Sequence, residues 1–191
     1  MTKNRLEAFS DGVIAIIITI MVLELKVPHS VELAALVDLG PVLISYLISF
    51  IYVGIYWNNH HHLLHAAEKV NGAVLWANMH LLFWLSLVPF VTGWMGENHF
   101  AAIPVALYGV VLFMAGLAYY LLARTLVALH GADSAIAKAL GRDHKGLLSL
   151  AIYLAAIPVA CFWPLIACGL YVVVAAIWLV PDKRIERHLH E

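Results

Sequence analysis

Charged residues fall in clusters along this chain and leave long apolar intervals between them. Asp, Glu, Lys and Arg are absent from Leu39 to Ala67, from Val70 to Gly96, from Asn98 to Ala123 and from Gly146 to Pro181. A membrane-spanning helix needs about 20 apolar residues, so each interval is long enough to cross a bilayer. The last would reach about 54 Å as one helix, far beyond a hydrocarbon core of about 30 Å. Pro158 and Pro164 lie at its middle, and the residue before a proline avoids helical geometry. This interval therefore reads as two short helices joined by a tight turn at Cys161-Phe162-Trp163-Pro164. Near the N-terminus only Gly12 to Leu23 is free of charge, so a helix of full length there must take in Asp11 and Glu24. The pattern predicts one six-helix membrane domain over residues 1–191, with spans at roughly 5–26, 40–62, 71–95, 100–124, 146–161 and 164–180.

Composition agrees. Hydrophobic residues make up 63% of the 191 positions and charged residues 12%, with mean hydropathy +0.89. Soluble domains are about 45–50% apolar and about 25% charged. A soluble fold, a disordered chain, a coiled coil, a disulfide scaffold and a nucleic-acid binder are all excluded. Cys161 and Cys168 sit in apolar sequence and read as small buried side chains. Lys3 and Arg5 are followed by Glu7 and Asp11, so the first apolar run reads as a span rather than a signal peptide.

Basic residues orient the bundle. Six spans put Lys3, Arg5, Lys69, Arg124, Lys138, Arg142, Lys145, Lys183, Arg184 and Arg187 on one side and Lys26 alone on the other. Positive residues mark the cytoplasmic side, so both termini are expected there, in the cell membrane. The 124–145 segment becomes the main cytoplasmic loop. Most Trp and Tyr, including Tyr52, Tyr108, Tyr119 and Trp94, fall near predicted span ends and read as interfacial anchors.

The first span holds the unusual chemistry. Arg5, Phe9-Ser10-Asp11 and Glu24 flank a run of branched apolar residues, and ionisable groups at membrane depth face protein or water rather than lipid. At 100° per residue, Ile16, Ile20 and Leu23 share one stripe, with Gly12 and Thr19 at its edge. Asp11 lies about 140° from Ile16, and Ser10 about 120° away on the other side. The polar motif and the apolar stripe therefore meet different neighbours. For the stripe, spacing alone favours plain packing or lipid contact. For Arg5 and Asp11 it favours an interhelical hydrogen-bond network. Donors for that network stand at the end of the second span, in Trp57-Asn58-Asn59-His60, and in the third, in Trp76-x-Asn78-x-His80.

His60, His61, His62 and His65 form a local cluster, and His61 and His65 have the i, i+4 spacing of two ligands on one helix face. No Cys or carboxylate set accompanies them, and adjacent histidines point in different directions. They read as structural or interfacial, and no metal or other cofactor is expected.

Arg5-x-x-x-Phe9-Ser10-Asp11 on the first of six helices resembles the signature of the transmembrane protein 175 family of endosomal and lysosomal potassium channels. Tyr56-Trp57-x-x-His60, Trp76-x-Asn78 and Pro89-Phe90 are similar to its prokaryotic members. The first three spans carry the resemblance, and the rest follows by span count. The resemblance implies a homotetramer of six-helix chains that passes potassium ions across the lipid bilayer, with the first helix lining the pore and no TVGYG-type carbonyl filter. By the same resemblance, Ile16, Ile20 and Leu23 constrict the pore, and Thr19 occupies a polar layer. Arg5, Phe9, Ser10, Asp11, Trp57, His60 and Asn78 form a structural latch. The competing expectation is a proton- or metal-coupled carrier using the His60–His65 cluster. No nucleophile–base pair supports an enzyme.

Overall fold

The computed structural model describes residues 2–141 and 143–179. Within them the chain is all-helical. α1 covers Lys3–Met21 and continues as a 3-10 turn over Val22–Glu24. The short α2 (Leu33–Asp38) precedes α3 (Gly40–His65). α4 (Gly72–Ser86) and α5 (Val88–Glu97) form one broken span. α6 (Ala102–His130), the short α7 (Ala135–Leu140), α8 (His144–Phe162) and α9 (Pro164–Leu179) complete the order.

Among the described residues, five segments are long and apolar enough to cross a membrane: Lys3–Glu24, Gly40–His65, Gly72–Glu97, Ala102–His130 and His144–Phe162. α9 is apolar but shorter, at 16 residues. The chain is a multi-pass membrane protein.

Several expected boundaries move. The break between α4 and α5 falls at Leu87, two residues before Pro89, because proline has no N–H to give to the preceding turn. α6 runs on to His130, well past the first charge at Arg124. The expected 124–145 loop is thus largely helix, reduced to short links on either side of α7. A charge marks where a helix leaves hydrocarbon, not where its hydrogen bonds stop. Pro158 lies inside α8, and the expected turn shrinks to one non-helical residue, Trp163. Residue 180 of the expected last span, and Arg142, Lys183, Arg184 and Arg187 of the charge argument, lie outside the described residues.

α6 is the hub, packing on α4, α5, α8 and α9. Small residues allow close approach: a side-chain carbon on Gly109 would collide with the Tyr171 hydroxyl, and one on Gly96 with Ser45 and the α3 backbone. The tyrosines expected at the interface are instead buried here. Tyr52, Tyr108 and Tyr119 are 2%, 0% and 9% exposed. The Tyr52 hydroxyl donates to the Tyr171 carbonyl and Tyr153 donates to Tyr52, at 3.2 Å for the second. Ser49 links Tyr108 at 3.0 Å and Thr92 at 2.7 Å. Inside a bilayer a hydroxyl with a partner on another helix is a tie between helices, so these rings belong to the frame rather than to its rim.

Candidate functional site

α1 packs on α3, α4 and α5 and divides into two faces. Leu6, Ser10, Ile14, Ile17 and Met21 recur every three or four residues and are buried. On the other side Phe9, Ile16, Ile20 and Leu23 are 46%, 57%, 43% and 76% exposed. Thr19 is exposed beside them. Its hydroxyl is shared between the Ala15 and Ile16 carbonyls at 3.1 and 2.9 Å, so the proton is spent inside the helix and oxygen lone pairs stay available.

The polar side of α1 is tied down by two separate devices. The first is buried. Ser10 Oγ donates to the Leu6 carbonyl at 2.8 Å and accepts from Asn78 Nδ2 at 2.9 Å. Asn78 Oδ1 sits 2.7 Å from His60 Nε2. Since Oδ1 can only accept, Nε2 carries the proton. The chain of donors therefore runs His60 to Asn78 to Ser10 to Leu6, across three helices. Ser10, Asn78 and His60 are all 0% exposed. His60 Nδ1 has no hydrogen-bond partner among the described residues.

The second device is half-exposed. Trp57 Nε1 donates to Asp11 Oδ1 at 3.1 Å. One turn on, His61 Nδ1 lies 3.1 Å from Glu7 Oε1. A turn beyond that, Lys3 Nζ donates to the His65 carbonyl at 3.1 Å. Lys3, Glu7 and Asp11 climb α1 at i, i+4 while Trp57, His61 and His65 descend α3 at the same spacing. This forms three antiparallel rungs.

Ser10, Asp11, Trp57, His60 and Asn78 are thus brought together, but in two groups rather than one. His60 reaches α1 through Asn78 and Ser10, not through Asp11. Arg5 is exposed and has no hydrogen bond or ion pair among the described residues. Phe9 points outward with the apolar stripe. The His61–Glu7 and Lys3–His65 rungs were not anticipated, although the paired i, i+4 series was available to find them.

The histidines do not converge. His60 faces Asn78, His61 faces Glu7 and stacks on His65 with ring centres 5.9 Å apart. His80 accepts from Trp84 Nε1 at 2.9 Å. Among the described residues no three His, Cys, Asp or Glu side chains are grouped to hold a metal ion.

At the opposite end of α1, Glu24 lies against the bare Cα of Gly93, where an added side-chain carbon would sit 2.9 Å from Oε2. Lys26 Nζ meets Glu97 Oε1 at 2.5 Å. Glu97, first by hydrogen bond and then by charge, raises the Lys26 ammonium above its ordinary 10.5. This tie is present below that range and is lost as pH rises through the raised value.

Comparison with known proteins bears on this geometry. Residues 5–89, which hold the buried device and the Trp57–Asp11 and His61–Glu7 rungs, match the sequence model of a family described as endosomal/lysosomal potassium channel TMEM175. A potassium channel of Chryseobacterium sp. (strain P1-3) is 54% identical over 191 residues, covering 100% of both chains. A potassium channel of Streptomyces collinus is 35% identical over 128 residues, 61% of each. The crystal structure of a lysosomal potassium-selective channel TMEM175 homolog from Chamaesiphon minutus superposes with TM-score 0.80 at 28% identity, covering 93% of this chain and 96% of that one.

Proposed function

The chain belongs to the TMEM175 potassium-channel family, a family of ion channels and not enzymes, and from that membership we propose that four copies surround one pore lined by α1. The observation that carries this reading is the split of α1. Its polar side is fastened to α3 and α4, while Ile16, Thr19, Ile20 and Leu23 lie together on its exposed side.

In a four-fold assembly the Ile16 side chains meet near the axis and leave a narrow apolar throat, with Ile20 and Leu23 on later turns. Hydrophobic constrictions gate by dewetting. A cation in the throat sheds part of its hydration with no carbonyl ring to replace it. Potassium gives up water more cheaply than sodium, which yields a modest potassium preference. The Thr19 oxygens supply a polar layer next to the throat. Ser10, Asp11, Trp57, His60 and Asn78 hold the angle of α1. With α9 as a sixth crossing, both termini lie in the cytoplasm.

The test is ion flux from purified protein in liposomes, with the mass of the assembly measured alongside. The expected result is a tetramer that passes potassium down its gradient, faster than sodium, with no second substrate. A silent tetramer, or flux that demands a coupled substrate, overturns the reading.

The histidine cluster gives a sharper comparison. His61→Ala/His62→Ala/His65→Ala is expected to keep its flux and to lose about 1 kcal/mol of stability or less, since a half-exposed polar contact contributes little. His60→Ala, which removes a buried donor, is expected to reduce assembly. Loss of flux in the triple variant with an intact tetramer favours a coupled carrier.

A further inference from the structure

A cleft of about 540 Å³ opens where the end of α6, α7 and the start of α8 meet. Its walls include Val127, Leu140 and Leu147, and its rim carries Arg124, Asp143 and His144. We propose that this cleft binds the headgroup of an anionic phospholipid, with Arg124 and His144 on the phosphate. The proposal is independent of the pore reading.

Depth supports it first. Arg124 is the first charge after the uncharged run Asn98–Ala123, and His144 stands two residues before the uncharged run that opens at Gly146. Both therefore lie at the edge of the hydrocarbon, where lipid phosphates are found. Neither makes a hydrogen bond or ion pair among the described residues, and both are exposed. Arginine offers a fork of donors that matches a phosphate, and imidazole adds another donor.

The apolar continuation supports it next. Leu121 lies one turn deeper than Arg124 on α6, and Leu147 and Leu148 one turn deeper than His144 on α8. They are 42%, 52% and 52% exposed. A molecule with its phosphate at the rim has acyl chains that follow these leucines into the bilayer. A free phosphate would make no use of them.

Among the described residues lining the cleft, Asp143 is the one carboxylate, and it is already engaged. Oδ1 accepts from the Gly146 N–H at 2.8 Å, and the carboxylate folds back against Gly146. Its charge is offset by the positive end of α8, and Arg124 adds a positive charge to the rim.

The experiment is native mass spectrometry of the full chain equilibrated with phosphatidylcholine doped with phosphatidylglycerol. The wild type is expected to retain phosphatidylglycerol in preference to phosphatidylcholine. Arg124→Gln/His144→Gln should lower retained phosphatidylglycerol about fivefold, the size expected for losing one basic contact at a membrane surface. Lys69→Gln, a charge removed on the same side but outside the cleft, should leave retention unchanged. Millimolar inorganic phosphate should not displace the lipid. Equal retention by the double variant, an equal loss in Lys69→Gln, or displacement by phosphate each overturns the proposal. Arg124→Gln alone carries the same comparison if the double variant does not assemble.

Discussion

Ile16→Asn is expected to bring the permeability ratio of potassium to sodium down toward one and to raise conductance. Ile16 is 57% exposed in the single chain, so the substitution removes little packing within the chain and the fold persists. Its effect is then confined to the assembly. On the proposed four-fold pore, four amide side chains at one level would hydrate a throat that four sec-butyl groups would keep dry, and they would offer oxygens to either cation. The penalty that separates the two ions, partial dehydration without replacement, falls away. Reversal potentials under potassium on one side and sodium on the other measure this directly. Ile20→Asn and Leu23→Asn should act in the same direction with smaller effect. Wild-type selectivity and conductance in Ile16→Asn would place the barrier elsewhere and remove the hydrophobic throat from the account.

The second large effect is expected at Asn78. Asn78→Ala removes two hydrogen bonds at once and leaves the His60 Nε2–H and a Ser10 lone pair unmatched in a region with no exposure. A stranded buried polar group costs about 1–3 kcal/mol, so the pair should cost about 2–6 kcal/mol. His60 would then have neither ring nitrogen paired, since Nδ1 already lacks a partner among the described residues. Asp11→Ala should cost less, because the Trp57 indole it abandons belongs to a side chain 47% exposed. Thermal unfolding of the assembled protein, followed by the fraction that remains tetrameric, ranks the two. An Asp11→Ala protein that assembles normally but changes ion preference would move that carboxylate from the latch into the ion path.

The outline of the helices could be read from the sequence because charges are rare and their absence is informative. What escaped was whatever charge spacing does not encode. α6 gained two turns after Arg124 because water, unlike hydrocarbon, tolerates charge on a helix. The buried tyrosines read from sequence as rim residues because position along a span does not say which way a ring points. Within the latch, the residue types and the helices were recoverable from Ser10, Asp11, Trp57, His60 and Asn78. The wiring was not. An aspartate attracts attention as the acceptor for every nearby donor, yet the neutral Ser10 took the buried place and Asp11 the half-exposed one. Burying the hydroxyl leaves no charge to desolvate, which is the cheaper arrangement. Arg5, expected in the same network, stays in the open, where its guanidinium keeps its water.

The latch also sets a timetable for the newborn chain. Asp11 waits for a partner 46 residues downstream, and Ser10 for one 68 residues downstream. At synthesis rates of about 5–20 residues per second, the second interval lasts about 3–14 s. Throughout it the first helix carries a hydroxyl without its amide, and over the first 46 residues also a carboxylate without its indole. Until the third span emerges it lacks the ties that fix its place, and it is expected to be held beside the insertion machinery or at the membrane surface. A ribosome paused with α1 clear of the exit tunnel and Trp57 still inside it should leave α1 extractable by alkaline wash, and one paused after α4 has cleared the tunnel should not.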